Sequence, residues 1–270
     1  MSWHKEYNVD IKTLSDEELK QVGRDINKHL VVVFRNQDLK PEDELKICET
    51  IGNVKANKGE STTAKDNLSL IPGVLRVTGE LNERGEPGLF GHEIELDWHT
   101  HHPTEQNRWP FVWLYSERGS KGSKTSWINQ VQAYNDLPQD IKNKVNDITV
   151  ACGHKIGAFS PSEIFQDVVM YNSPQKIVRT NVEGLTGLYF PFLQIFDVID
   201  GCSKDEWPEL FEYIKNHILQ EKYLYHHDWE DGDLVISEQW LSIHKRWTFK
   251  GMDKRVLHRI ALDYDNCYVL

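Results

Sequence analysis

Cysteine is scarce and scattered: four residues in 270, at Cys48, Cys152, Cys202 and Cys267, with no C-x-x-C pair. That spacing argues against a disulfide framework and against a thiolate zinc site. Basic residues are outnumbered, 31 Lys and Arg against 42 Asp and Glu, for a formal net charge of −11. A surface that acidic repels phosphate backbones and anionic lipid heads, so no nucleic acid and no membrane is expected among the partners. Long apolar runs are missing too. The longest, Leu30 to Phe34 and Phe111 to Tyr115, fall far short of the ~20 residues that a membrane-spanning helix needs. The opening Met1-Ser-Trp-His-Lys-Glu lacks the apolar core of a secretory signal, and the expected location is cytoplasmic. Internal repeats, low-complexity tracts and evident linkers are also lacking, so one domain over 1–270 is the simplest organisation. What the chain does have is 39% hydrophobic and 11% aromatic residues, the balance of an ordinary folded protein, and 12 histidines, several of them clustered.

Ser15-Asp-Glu-Glu18 is a capping-box pattern, and Leu19, Val22, Ile26 and Leu30 follow at helical spacing. Val31-Val-Val-Phe34 reads as a short buried strand. A second helix starts near Pro41 and turns Leu45, Cys48 and Ile51 inward. From Leu68 to Asp136, short alternating or aromatic stretches broken by Gly, Pro, Asn and Ser read as strands and loops. Further helices are expected over 138–148 and, behind Ser203-Lys-Asp-Glu206, up to Ile218. Strands are expected at 176–180, 187–190, 233–236 and 256–264, and a mobile surface loop at 57–67. Many short strands with a few helices suggest a mainly β fold with α elements, a β-sandwich or jelly roll with helices outside.

The sharpest local feature is Leu96-Asp-Trp-His99-Thr-His101-His102-Pro. In an extended strand His99 and His101 point the same way, and two imidazoles two residues apart can share a metal ion. Three surface histidines before Pro103 would be the bland alternative. Near the C-terminus, Gly232-Asp-Leu-Val-Ile236 looks like a turn feeding a strand, followed by His244 and then Arg255-Val-Leu-His-Arg259. Arg255 and Arg259 are four apart on a strand-like run and can face one cavity, where guanidinium groups would hold carboxylates. An exposed basic strand edge is the competing explanation.

Taken together these pieces resemble the TauD/TfdA-like family of Fe(II)- and 2-oxoglutarate-dependent dioxygenases, with its His-x-Asp pair, a Thr some two dozen residues on, a distant His and an Arg about eleven residues later. His99-Thr-His101 holds the first position, Thr125 lies 24 residues after His101, and Arg255 follows His244 by eleven. Val32-Val-Phe-Arg-Asn-Gln37, Lys124-Thr-Ser-Trp127 and Gly232-Asp-Leu234 are similar to the family's flanking segments, so the resemblance spans roughly residues 20 to 265. It implies a double-stranded β-helix (jelly-roll) core with flanking helices, Fe(II) bound by His99 and His244, and 2-oxoglutarate held at its C5 carboxylate by Arg255 and Thr125. It further implies O2 as co-substrate and release of succinate and CO2 while a small substrate is oxidised, most simply hydroxylated.

Position 101 departs from the family. Three neutral imidazoles leave iron near +2 where a carboxylate would leave about +1. Three arrangements are open: His101 ligates in a three-histidine site of His99, His101 and His244; His101 turns away and an anion or water takes its place, as in halogenating relatives; or the site takes another metal or is silent towards 2-oxoglutarate. Desaturation, halogenation and a catalytically silent binding jelly roll are therefore the rivals to hydroxylation. Retention of Thr125 and Arg255 favours an active site. Asp97 and Glu95 share the nominal face of His99. Glu95 could receive a substrate amine and Arg259 an anionic group, which would suit an amino-acid-like or anionic substrate. Tyr189, Phe190, Phe192 and Phe196 read mainly as core. The expected partner is a small-molecule substrate, with a homo-oligomer left open.

Overall fold

The computed structural model describes residues 3–55, 69–81, 85, 88, 90–101, 109–155 and 169–268. The segment 57–67 and His102 lie outside them. In chain order the elements are β1 (Lys5–Tyr7), α1 (Asp16–His29), β2 (Val31–Phe34), α2 (Pro41–Ile51), β3 (Ser69–Ile71), β4 (Val74–Thr78), β5 (Leu96–His99), β6 (Phe111–Arg118), β7 (Lys124–Asn129), α3 (Gln130–Asn135) and α4 (Gln139–Val145). Then follow β8 (Thr149–Lys155), β9 (Val169–Lys176), β10 (Val178–Thr180), β11 (Thr186–Leu188), β12 (Ile195–Asp200), α5 (Trp207–Ile218), β13 (Leu224–Asp228), β14 (Leu234–Glu238), β15 (Ser242–Arg246) and β16 (Val256–Leu262).

Two sheets face each other in a jelly roll. The larger has the order β1-β2-β14-β6-β16-β4-β3 and the smaller β13-β7-β15-β5. The run of four buried residues in β2 is explained by cover on both faces: Val32 and Phe34 pack with the helix layer, whereas Val31 and Val33 pack with Trp127 and Trp229 between the sheets. The same alternation runs through β16, where Ile260 and Leu262 join the helix-side core and Leu257 the interior. It places His258 towards the helices and Arg259 towards the space between the sheets.

The helices α1 and α2 cover the outer face of the large sheet. Ser15 and Glu18 form the capping box, with Ser15 N donating to Glu18 Oε2 at 2.8 Å, and Leu19, Val22 and Ile26 are the buried stripe. Pro41 takes the first turn of α2, where its missing N–H costs nothing. A second core gathers α3, α4, α5 and the sheet β12-β8-β9 around Tyr189, Phe190 and Phe192. No helix among the described residues is long and apolar enough to cross a membrane.

Candidate metal centre and co-substrate pocket

His99 ends β5 and His244 lies on β15 as its register partner. His101 follows two residues later, and ligand-capable atoms of the three lie within 4.8 Å of one another. Ring centroids are 4.2 Å apart for His99 and His244, 4.8 Å for His101 and His244, and 5.7 Å for His99 and His101. The chain is held firmly between the two ligand candidates of the His-x-His pair. Thr100 N donates to Gln194 Oε1 at 2.8 Å while Gln194 Nε2 donates to Thr100 O at 3.0 Å. Thr100 Oγ1 donates to the Gln239 carbonyl at 2.7 Å and His101 N to Gln239 Oε1 at 3.2 Å. Both glutamines escaped the sequence reading, because no spacing marks them.

Hydrogen bonds assign the ring nitrogens. His99 Nδ1 lies 2.6 Å from the Asp97 carbonyl, which can only accept, so Nδ1 carries the proton and ligation falls to Nε2. Arg259 Nε donates to His101 Nδ1 at 3.1 Å, so ligation by His101 also falls to Nε2. Burial, followed by the neighbouring His99 and Arg259, holds His244 well below the ordinary imidazole range. His244 Nδ1 is buried with no hydrogen-bond partner. A neutral, dry imidazole facing two others suits a divalent transition metal, since ligating histidines must be deprotonated.

Arg255 is the most telling residue of the pocket. It is 1% exposed, its Nε has no partner, and Nη1 reaches only the Met252 sulfur at 3.8 Å. No ion pair engages it among the described residues. Burial, and the charge of Arg246 second, push its guanidinium down to about 9. Arg246 spends its donors on the backbone carbonyls of Phe90, His92 and Ile94, the latter two at 2.7 Å each. Two desolvated cations without an acidic partner among the described residues, in a chain of net charge −11, leave a strong demand for an anion at Arg255.

Thr125 is 3% exposed on β7 and accepts a hydrogen bond from Trp229 Nε1 at 2.9 Å. Its own hydroxyl proton is left to donate. The Trp229 ring also lies 5.9 Å from the Arg255 guanidinium, so one indole connects both members of the proposed clamp. Trp229 was missed from sequence, and so was Gly119. With φ of +69°, Gly119 passes so close to β16's approach that a Cβ would stand 2.3 Å from the Lys254 carbonyl.

The structure does not bring Glu95 to this site, in contrast to the expectation from strand alternation. Arg246 pairs with Leu96 and His244 with His99, so β5 spends three steps where β15 spends two. This bulge breaks the alternation. Glu95 and Asp97 instead pair with Lys245 on the outer face, at 3.0 and 3.2 Å. Arg259 does face the site, but its Nε is committed to His101. His226 and His227 point to opposite faces of β13, the first to Ser126 and Glu221, the second to Asp233. Tyr189, Phe190 and Phe192 are core.

Fold and site together define a jelly roll with a three-histidine cluster suited to a divalent metal between its sheets. The sequence model of the taurine catabolism dioxygenase TauD, TfdA family matches residues 2–261, and the chain belongs to that family, whose members depend on Fe(II), 2-oxoglutarate and O2. It is 24% identical over 277 residues to pentalenolactone F synthase of Streptomyces avermitilis, covering 94% of this chain and 88% of that one. It is 23% identical to the alpha-ketoglutarate-dependent 2,4-dichlorophenoxyacetate dioxygenase of a Burkholderia species, over 91% and 86% of the two chains. Among solved structures, AAD-2 in complex with Mn(II) and N-oxalylglycine superposes with a TM-score of 0.78 at 20% identity, covering 97% and 95%. A taurine dioxygenase from Burkholderia xenovorans does so at 0.73 and 19%, covering 95% and 84%.

Proposed function

We propose that this dioxygenase hydroxylates a small polar, anionic or amino-acid-like substrate at iron held by His99, His101 and His244, with Arg255 and Thr125 gripping the C5 carboxylate of 2-oxoglutarate. The observation that carries this reading is the buried Arg255 guanidinium, without an acidic partner among the described residues, which shares the Trp229 indole with a Thr125 hydroxyl whose proton is available. One bidentate fork and one hydroxyl are what the far end of a dicarboxylate needs. Bound iron and 2-oxoglutarate supply the oxidising power, through decarboxylation to succinate and CO2.

The chain's own residues do the positioning. Thr100, clamped by Gln194 and Gln239, fixes the spacing of His99 and His101, and the Asp97 carbonyl fixes the His99 ring. The arrangement disfavours a vacant ligand position of the halogenase kind, because the His101 ring occupies the space and is tied there by Arg259. A silent jelly roll is disfavoured by the cost of keeping Arg255 desolvated for nothing. An anionic substrate is supported by Arg259's charge beside His101 and by the relatives, one of which acts on an aryloxyacetate. The amine half of the substrate has no support from Glu95, which Lys245 engages.

Anaerobic addition of Fe(II) and 2-oxoglutarate is expected to give a visible metal-to-ligand charge-transfer band, with succinate released on admitting air. Absence of both the band and succinate overturns the reading.

A further inference from the structure

Behind His244 the smaller sheet carries a row of aromatic rings that leads out to its edge. Trp127 on β7 is the register partner of His244 on β15 and of Tyr225 on β13, the edge strand. Successive rings stack along that row: His244 and Trp127 at 6.3 Å between centroids with planes 29° apart, then Trp127 and Tyr225 at 5.9 Å and 27°. Tyr225 next meets His4 at 3.7 Å and Trp3 at 6.1 Å, both partly exposed.

Packing alone accounts poorly for two details. Trp127 is fully buried, yet its indole N–H has no hydrogen-bond partner among the described residues. The group pays its full desolvation penalty, which an apolar ring of similar size would avoid. Tyr225 donates its O–H to His227 Nδ1 at 2.9 Å, and His227 Nε2 in turn donates to Asp233 at 3.1 Å. Both His227 and Asp233 are buried. Burial keeps His227 neutral, below its ordinary range, so that its Nδ1 lone pair is ready to take a proton. Asp233, also bonded by Arg35, stays ionised behind it. A phenol with an adjacent base backed by a carboxylate can lose an electron and a proton together, the proton passing along an existing hydrogen bond.

We propose that Trp127 and Tyr225 form a hole-transfer route that carries oxidising equivalents from the metal centre to the surface at His4 and Trp3 when oxygen is activated with no substrate in place. The proposal takes its oxidant, the O2-oxidised metal centre, from the function proposed above. In each event the metal side gains one electron from Trp127, Trp127 regains one from Tyr225, and the Tyr225 proton moves to His227 Nδ1. A neutral tyrosyl radical and a His227 imidazolium beside Asp233 remain. An external one-electron reductant such as ascorbate or a thiol resets Tyr225, and His227 returns the proton. The route would spare the histidines and the clamp from self-oxidation.

The iron-loaded protein is oxidised in two arms, one with O2 and 2-oxoglutarate without substrate, the other with hydrogen peroxide and no 2-oxoglutarate. Iron binding and succinate are measured alongside. Freeze-quenched EPR with ring-deuterated tyrosine is expected to show a radical at Tyr225 that is lost in Tyr225→Phe, a nearly isosteric change. It should also be lost in Trp127→Phe, which keeps the ring but is far harder to oxidise. Peptide mass spectrometry should then find oxidation shifted to residues around the metal in both variants. A radical in the peroxide arm without succinate in the other overturns the co-substrate assignment but supports the route. Bound iron with Tyr225 unoxidised in both arms, or oxidised equally in Trp127→Phe, overturns the route, as does failure to bind iron.

Discussion

Arg259 Nε donates to His101 Nδ1 across 3.1 Å. A guanidinium has donors only, so a neutral His101 carries its ring proton on Nε2, the nitrogen left for the metal. Ligation through Nε2 therefore requires that proton to shift to Nδ1, where it would face the Arg259 donor, so Arg259 has to give up this hydrogen bond when metal binds. His99 needs no such shift, because its proton already sits on Nδ1 against the Asp97 carbonyl. In Arg259→Leu the His101 ring is able to hold its proton on Nδ1 beforehand, and the affinity for Co(II) or Fe(II), read by calorimetry, should rise by roughly five-fold for one hydrogen bond of about 1 kcal/mol no longer lost. Unchanged or weaker metal binding in that variant would detach Arg259 from the tautomer of His101.

The anchor residues proposed for the site, His99, His244, Thr125 and Arg255, were legible in the sequence because they lie on or beside paired strands, β5 with β15 and β15 with β7. Glu95 was misplaced because alternation assumes an unbroken strand, and one extra residue in β5 reverses the face on which upstream side chains stand. Gln194, Gln239 and Trp229 were invisible for another reason: each acts through one or two hydrogen bonds to residues more than ninety positions away. The strands β8, β9, β12 and β13 were also missed. Their text is mixed with Gly153, Pro174, Asp197 and the pair His226-His227, and pairing across the sheet overrides such weak local preference. The helices α1 and α2 announced themselves through caps and periodicity, which are local signals.

Trp229 supports Thr125 by a hydrogen bond of 2.9 Å. Trp229→Phe keeps an aromatic ring beside Arg255 but removes that donor. Thr125 is then free to turn its hydroxyl away from the co-substrate. The expected loss is about 1 kcal/mol, roughly five-fold in 2-oxoglutarate affinity, read from titration of the charge-transfer band. Metal binding should be unaffected, which separates this role from general damage to the fold.

His258 faces the helix layer, bonded by Nδ1 to Glu44 and by Nε2 to Glu117 at 3.0 Å. Burial opposes its protonation, but the hydrogen bonds and charges of the two carboxylates outweigh it and raise its proton affinity above the ordinary 6.5. For Glu44 burial acts in the opposite sense and raises its proton affinity, outweighing the pull of His258 and Trp113. Both groups bind protons more strongly folded than unfolded. Their contribution is therefore complete below the unfolded values and is lost as pH rises through the folded ones. Thermal melts from pH 6 to 9 should show Tm falling from about pH 6.5 upward. His258→Gln should flatten that slope and cost roughly 3–5 kcal/mol at pH 6, because it leaves Glu44 buried without its cation.

Arg255 pits stability against function more sharply than any of these. Its guanidinium is buried, unpaired by any carboxylate among the described residues, and pushed down to about 9 by that burial. Without an anion such a group destabilises the fold, and if 2-oxoglutarate is the anion it takes, as proposed, binding should relieve the penalty. Arg255→Met, similar in length and apolar, should raise the ligand-free stability by about 1–3 kcal/mol while abolishing 2-oxoglutarate binding. The native protein should gain Tm on adding 2-oxoglutarate with metal, by the amount that mass action allows for its affinity. The variant should start higher and gain nothing. Denaturant melts of both proteins with and without the co-substrate measure all four states. A less stable Arg255→Met protein would mean that the arginine holds the fold together, and the case for an anion-seeking pocket would lose its main support.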